Sequence, residues 1–346
     1  MEVGGRGLVA VTPLSAGAEL LSVPRRLLLS LDAAAELRSL PLRPAAILAV
    51  QLLREAALQE ASFYSAYIRS LPPTFSDGGS FSCAEIAALQ IPHAVAEVDA
   101  LRCQRLDDYK AARDVLASLP DSLRSFASFC WAASTVATRT VSLEPGDEIG
   151  ALCPLGDMLN HAFRDGPAGY GAFDTASQSY RFYSNCSLAA GAQAFVTYGS
   201  YTDLGLLAHY GFVLGPGCNT ADIARLPRTS IDLPLADDQL FLSCSGKPGW
   251  MLLCSLRLAC ASPQQRRRNG HLAAAGLPID PISEARAQEK LLKACRSILH
   301  ELPTRRHEDE VLLSTLPVGS RMALAVCWRA NYKRTLELAC QVLATA

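Results

Sequence analysis

Strand-forming segments stand at both ends of the first two-thirds of the chain, and the stretch between them, from Asp32 to about Arg139, has helical periodicity. Short strands need partners for their backbone groups, so this pattern predicts an α+β protein whose β pieces surround a helical insertion. The early β piece reads as residues 8–11, a turn over 13–17, and residues 19–23 closed by Pro24. The later pieces lie within 152–197, where residues 180–183 and 194–198 are aromatic or β-branched and Ala189-Ala190-Gly191 breaks the chain before the second. In the insertion, Ile47, Leu48, Gln51, Leu52 and Glu55 fall at three- and four-residue intervals, as do Phe126, Phe129, Cys130, Ala133 and Val136. Residues 74–82 are too rich in Ser, Gly and Asp to be anything but loop. Gly215, Pro216 and Gly217 mark a boundary, after which helices are predicted over 249–261, 283–301 and 320–343. The polar run QQRRRN at 264–269 reads as a solvated loop, with contact to an acidic partner as the alternative.

The chain has 346 residues, half of them hydrophobic, and a formal net charge of -1. That length predicts two domains, or one with a large insertion. No global field favours nucleic acid or an anionic membrane. The longest apolar run, residues 44–53, is far short of a membrane span of about 20 residues. No targeting sequence is evident after Met1, and cytoplasm, nucleus and chloroplast all stay open. Twelve cysteines occur without a Cys-x-x-Cys pair, so neither a zinc knuckle nor a disulfide framework is expected; buried, reduced thiols are.

Four local patterns are able to carry chemistry. Gly4, Gly5 and Gly7 let a ligand approach the backbone, although glycines so spaced also make ordinary turns. Asp157, Asn160 and His161 put a carboxylate, an amide and an imidazole within five positions; they either orient a ligand or form a capped turn with a satisfied histidine. No second histidine lies near enough for a metal site. Tyr198 and Tyr210 each precede a glycine and flank an amphipathic turn, which brings two phenols to one cleft or leaves two core tyrosines. Arg139 ends an apolar helix face, where it meets a ligand carboxylate or the helix C-terminus. A hydrolase fits less well, because no Gly-x-Ser-x-Gly elbow and no cysteine in a basic setting is present.

In this order the patterns resemble the SET-domain methyltransferases, and specifically the subgroup of the Rubisco large-subunit lysine methyltransferase. The resemblance rests on GRGLVAV at 5–11, SFYSAYIRSLP at 62–72, WAASTVATR at 131–139, LCPLGDMLNH at 152–161 and AFVTYGSYTDLGLLAHYGFV at 194–213. The last helix, carrying Arg321, Arg329 and Lys333, is similar to the end of that subgroup's substrate-binding domain.

The resemblance implies a SET β-fold over 1–214, with a helical insertion at about 31–135, then a mostly helical substrate-binding domain over 215–346. It implies S-adenosylmethionine as cofactor, no metal, a protein substrate offering a lysine, no nucleic acid or membrane partner, and a monomer. Carried over residue by residue, it places Gly4, Gly5 and Arg6 on the cofactor through backbone, and Arg139 near its carboxylate. Asn160 and His161 would line its amino-acid and adenine parts, with Asp157 supporting that turn. Tyr198 matches the catalytic tyrosine and Tyr210 the second aromatic of the cofactor and lysine site. Relatives often carry Asn where Asp203 stands, an acidic residue before the first glycines where this chain has Gly4, and further residues ahead of that turn. Histidine methylation and a non-catalytic binding module are the competing readings; Tyr210, rather than a smaller residue, favours lysine.

Overall fold

The computed structural model describes residues 6–144, 146, 148–162 and 168–345. Ten strands occur among them: β1 (Glu19–Pro24), β2 (Leu29–Ser30), β3 (Thr140–Val141), β4 (Ala151–Leu152), β5 (Asn160–His161), β6 (Ala168–Asp174), β7 (Ser179–Tyr183), β8 (Phe195–Val196), β9 (Ile223–Arg225) and β10 (Phe241–Ser243). The helices are α1 (Pro44–Ala57), α2 (Ser65–Ser70), α3 (Cys83–Ala87), α4 (Pro92–Leu116), α5 (Phe126–Arg139), α6 (Asp203–Tyr210), α7 (Trp250–Cys260), α8 (Pro263–Ala274), α9 (Pro281–Glu301), α10 (Arg306–Thr315) and α11 (Arg321–Thr345). The chain separates into two compact units: residues 1–80, 99–200 and 208–211, and residues 81–98, 201–207 and 212–346.

The first unit is built on a five-stranded sheet of order β1-β7-β6-β8-β5 and a three-stranded one of order β2-β4-β3. β7 pairs antiparallel with both neighbours, Leu21 opposite Phe182 and Phe173 opposite Tyr180. β8 instead runs parallel to β5 and β6. The inward side chains Val23, Leu159, Tyr180, Phe182 and Val196 form one core. A second core joins the insertion, where Leu48 and Leu52 of α1 meet Phe129 and Val136 of α5. Residues 8–11 make only an isolated bridge, Val9 opposite Gln193, rather than a strand. A single 3-10 turn (Gly78–Ser80) punctuates the expected loop at 74–82. There Asp77 takes Arg105 Nη2 at 2.7 Å and Ser134 Oγ at 2.7 Å, a buried polar knot that is fully paired.

The second unit is organised by α11, which packs on α9 and α10. Its length spans the predicted segment, but five helices follow Gly249 rather than three. Residues 263–274 are helix, not the expected loop, because Ser262 accepts from Gln265 N at 3.3 Å while the Gln265 side chain accepts from Ser262 N at 2.9 Å. Pro263 then fits the first turn. α10 escaped the periodicity for a similar reason: its first turn is charged, and Glu308 caps it through Arg305 N at 2.6 Å.

Arg329 and Lys333 do not face solvent. Both grip Asp309, Arg329 through Nε and Nη2 at 3.0 and 2.7 Å and Lys333 through Nζ at 2.6 Å, and Thr304 adds a bond at 2.8 Å. Burial alone would raise the Asp309 carboxyl, but these bonds hold it below its ordinary value. Asp203 is buried too, and its two oxygens take the amides of Asn219 at 2.9 Å and Asn331 at 3.1 Å. The cysteines are free, as expected, but only Cys153, Cys254 and Cys295 are buried; Cys83, Cys103 and Cys218 are exposed.

Asp309→Ala leaves two buried cations without their carboxylate. The expected loss is about 3–5 kcal/mol, read as a lower urea midpoint; a loss below about 1 kcal/mol would show that the network contributes no net stability.

Candidate active site

The site grows from one turn in the first unit. Asp157 N donates to the Cys153 carbonyl at 3.0 Å and Met158 N to that of Leu155 at 3.1 Å, with Leu155 at φ +69°. That left-handed conformation strains a residue with a β-carbon, and the surrounding core must hold it. Gly156 is buried here; a β-carbon would lie 2.4 Å from the Phe182 ring. The turn delivers Asn160 and His161 into β5, opposite Phe195 and Val196.

This pairing decides what each side chain can do. Tyr198 N donates to His161 Nδ1 at 3.0 Å, so the imidazole proton resides on Nε2. Burial lowers the His161 pKa and keeps the ring neutral. The Tyr198 hydroxyl donates to the Leu159 carbonyl at 2.7 Å, and its ring lies 5.2 Å from His161 and 5.0 Å from Tyr210. Burial pushes the Tyr198 phenol up to about 12. With its only proton committed, the hydroxyl presents lone pairs to whatever lies beside it. Tyr210 is set by Gly211, at φ +77°, where a β-carbon would stand 2.5 Å from the Ser76 backbone.

Asn160 reaches across to the start of the chain. Its Nδ2 donates to the Arg6 carbonyl at 3.1 Å and to Gln193 Oε1 at 3.1 Å, while its Oδ1 has no partner among the described residues. A β-carbon at Gly7 would sit 2.8 Å from Asn160 Nδ2 and 3.1 Å from the Gln193 amide, so a side chain there would push these two amides aside. Gly4 and Gly5 lie outside the described residues.

Behind the turn, Asp157 accepts from Tyr67 Oη at 2.8 Å and from Arg139 Nη1 at 3.2 Å, and Arg139 Nη1 also reaches the Asp157 carbonyl at 2.9 Å. Asp157 is therefore a strut between α2 and α5, not a helix cap. Burial outweighs its two partners and raises its pKa. Arg139 Nε and Asp157 Oδ1 are buried with no hydrogen-bond partner among the described residues. The structure thus brings together Arg6, Arg139, Asp157, Asn160, His161, Tyr198 and Tyr210 within the first unit. Sequence reasoning missed Tyr67 and Gln193 as members, and named Gly7 only as one of the closely spaced glycines. Tyr67 lies inside SFYSAYIRSLP, and Gln193 is the lone polar residue among small apolar ones, the two signals available.

Residues 222–336 match the family described as Rubisco LSMT substrate-binding. The chain is 29% identical over 359 residues to Protein SET DOMAIN GROUP 40 of Arabidopsis thaliana, covering 91% of this chain and 72% of that protein. It is 24% identical to an actin-histidine N-methyltransferase of Mus musculus, covering 97% of this chain and 63% of that protein. Among solved structures, the SET domain of LSMT bound to lysine and AdoHcy superposes with a TM-score of 0.67 at 20% identity, over 98% of this chain and 84% of that one. The fold is therefore the SET β-fold with helices and a helical C-terminal domain, as the sequence led us to expect.

If Tyr198 is held neutral by burial, the difference titration at 295 nm between wild type and Tyr198→Phe stays flat up to pH about 10.5, past the ordinary tyrosine value of about 10. A one-tyrosine step below that pH would contradict the assignment.

Proposed function

We propose that this chain, a SET-domain homologue with a Rubisco LSMT substrate-binding domain at residues 222–336, is an S-adenosylmethionine-dependent methyltransferase whose acceptor is a lysine of another protein. The observation that carries the reading is the cradle at Gly7. Backbone there passes close to the end of the Asn160 side chain, where a β-carbon would push the amide aside, and the Asn160 oxygen, which has no partner among the described residues, is the acceptor offered to an ammonium group. Gly4, Gly5, Arg6, Arg139, Asn160, His161 and Tyr210 would hold the cofactor, and Asp157 supports them through Arg139. When bound, it supplies a methyl group on a positively charged sulfur.

The residues of the chain then have two tasks. Lysine must lose its proton, since its free pKa is about 10.4, and a desolvated channel walled by Tyr198 and Tyr210 favours the neutral amine. The lone pairs of the Tyr198 hydroxyl orient the amine N–H and stabilise positive charge on the methyl in flight, helped by the tyrosine ring faces. Tyr198 is no general base, because its own proton is held too tightly. Positioning and fixed dipoles supply the acceleration.

The same reading divides the chain near residue 214, with the SET part first and a part that docks the protein substrate after it; the match at 222–336 falls within the latter. A second reading, histidine methylation, is favoured by the similarity to actin-histidine N-methyltransferases at 24% identity.

Methyl-tritiated S-adenosylmethionine incubated with the chain and a protein extract tests the acceptor. After acid hydrolysis the label is expected in methyllysine, with transfer by Tyr198→Phe reduced by at least about tenfold. Label in methylhistidine would move the reading to histidine, and no transfer by a folded chain would refute it.

A further inference from the structure

The second unit carries a helix whose charges nothing in it satisfies. α8 (Pro263–Ala274) contains Arg266, Arg267 and Arg268 and not one Asp or Glu. All three arginines are exposed, and none has a hydrogen bond or ion pair among the described residues. They lie in the N-terminal half of the helix, where the macrodipole is positive, so they weaken the helix that holds them. The adjoining helix α7 offers no relief. Its buried Arg257 already takes Glu284 through two bonds of 2.7 and 2.8 Å. Fold stability is therefore no reason for this triplet.

Exposed apolar side chains lie on the neighbouring helix. A β-carbon at Gly270, one turn on, would meet Leu258 Cδ2 at 3.5 Å, and Cys254 Sγ donates to the Ala273 carbonyl at 3.0 Å. These two contacts set α7 and α8 antiparallel, so the surface leads from the arginines past Leu258 towards Met251 and Trp250. Trp250 is 56% exposed, Leu258 37%, and Leu277 just beyond α8 53%. A helix rises about 12 Å between residues 266 and 274, the span of about four residues of extended chain.

We infer that this face docks an extended segment of the protein to be methylated, with acidic residues over Arg266 and Arg267, which lie four and three residues before Gly270 on the same side of α8, and bulky apolar ones beside Leu258 and Trp250. The inference rests on the methyltransferase reading for its occupant, a protein substrate. Charge complementarity selects the acidic end, since a carboxylate is the planar two-oxygen partner a guanidinium fork fits. The apolar continuation selects a peptide over a nucleic acid, which would need more phosphate-binding cations along the face.

The test uses the full chain and a fluorescein-labelled peptide of four glutamates followed by leucine and phenylalanine, read by anisotropy. Wild type is expected to bind, and more weakly as salt rises from about 50 to about 300 mM, because exposed charges are screened. The triple variant Arg266→Ala, Arg267→Ala, Arg268→Ala is expected to bind at least about tenfold more weakly and with less salt dependence, and Leu258→Ala about threefold more weakly. Equal binding by wild type and the triple variant, no binding by wild type, or tighter binding of a uridine oligonucleotide would each overturn the proposal. Calorimetry of S-adenosylmethionine on the same preparations separates the two claims. A triple variant that keeps cofactor binding while losing the peptide supports the docking surface; a wild type that binds the peptide but not the cofactor overturns the methyltransferase reading alone.

Discussion

The parallel pairing of Asn160–His161 with Phe195–Val196 is the constraint from which the site follows. Two residues on each strand contribute little by themselves, so this pairing depends on the core around Leu159, Phe182 and Val196. Once formed, it fixes three things together. Tyr198 N meets His161 Nδ1, the Tyr198 hydroxyl meets the Leu159 carbonyl, and Asn160 turns towards Arg6 and Gln193. Asp157 then braces the turn from behind through Tyr67 and Arg139. Slipping the register by one residue would send each of these side chains to the opposite face.

Charge is divided in the second unit according to what it does. Arg329 and Lys333 are turned inward, where Asp309 satisfies both and ties α10 to α11. Arg266, Arg267 and Arg268 are exposed and have no ion-pair partner among the described residues. Buried cations hold a fold only when paired, whereas exposed unpaired ones steer and select partners. Their positions in the sequence look alike; only the structure shows which are paired.

Much of this was legible before the structure. Periodicity placed α1, α5, α7, α9 and α11, and the short aromatic runs placed β7 and β8, because a long stretch of one face repeats in sequence. The SET fold and the grouping of Arg139, Asn160, His161, Tyr198 and Tyr210 came from resemblance, since no spacing rule brings residues so far apart to one cleft. The Gly7–Asn160 approach spans the first unit and leaves no local mark, as a glycine that avoids a distant side chain looks like any turn glycine. α8 was misread because its polar run hid a capping box, and α10 because its charges outnumber its apolar positions. The residues alone left Asp157 between a cap and a ligand-orienting group, because its partners, Tyr67 and Arg139, sit on two helices distant in sequence.

The central claim is that Gly7 and Asn160 form the wall of a cofactor cradle. Isothermal calorimetry of S-adenosylmethionine with wild type and Gly7→Ala, both shown to be folded, measures it directly. The account predicts saturable binding by wild type and affinity weakened by at least about tenfold, or about 1.4 kcal/mol, in Gly7→Ala. Equal affinity in the two proteins, or no binding by the wild type, would contradict it.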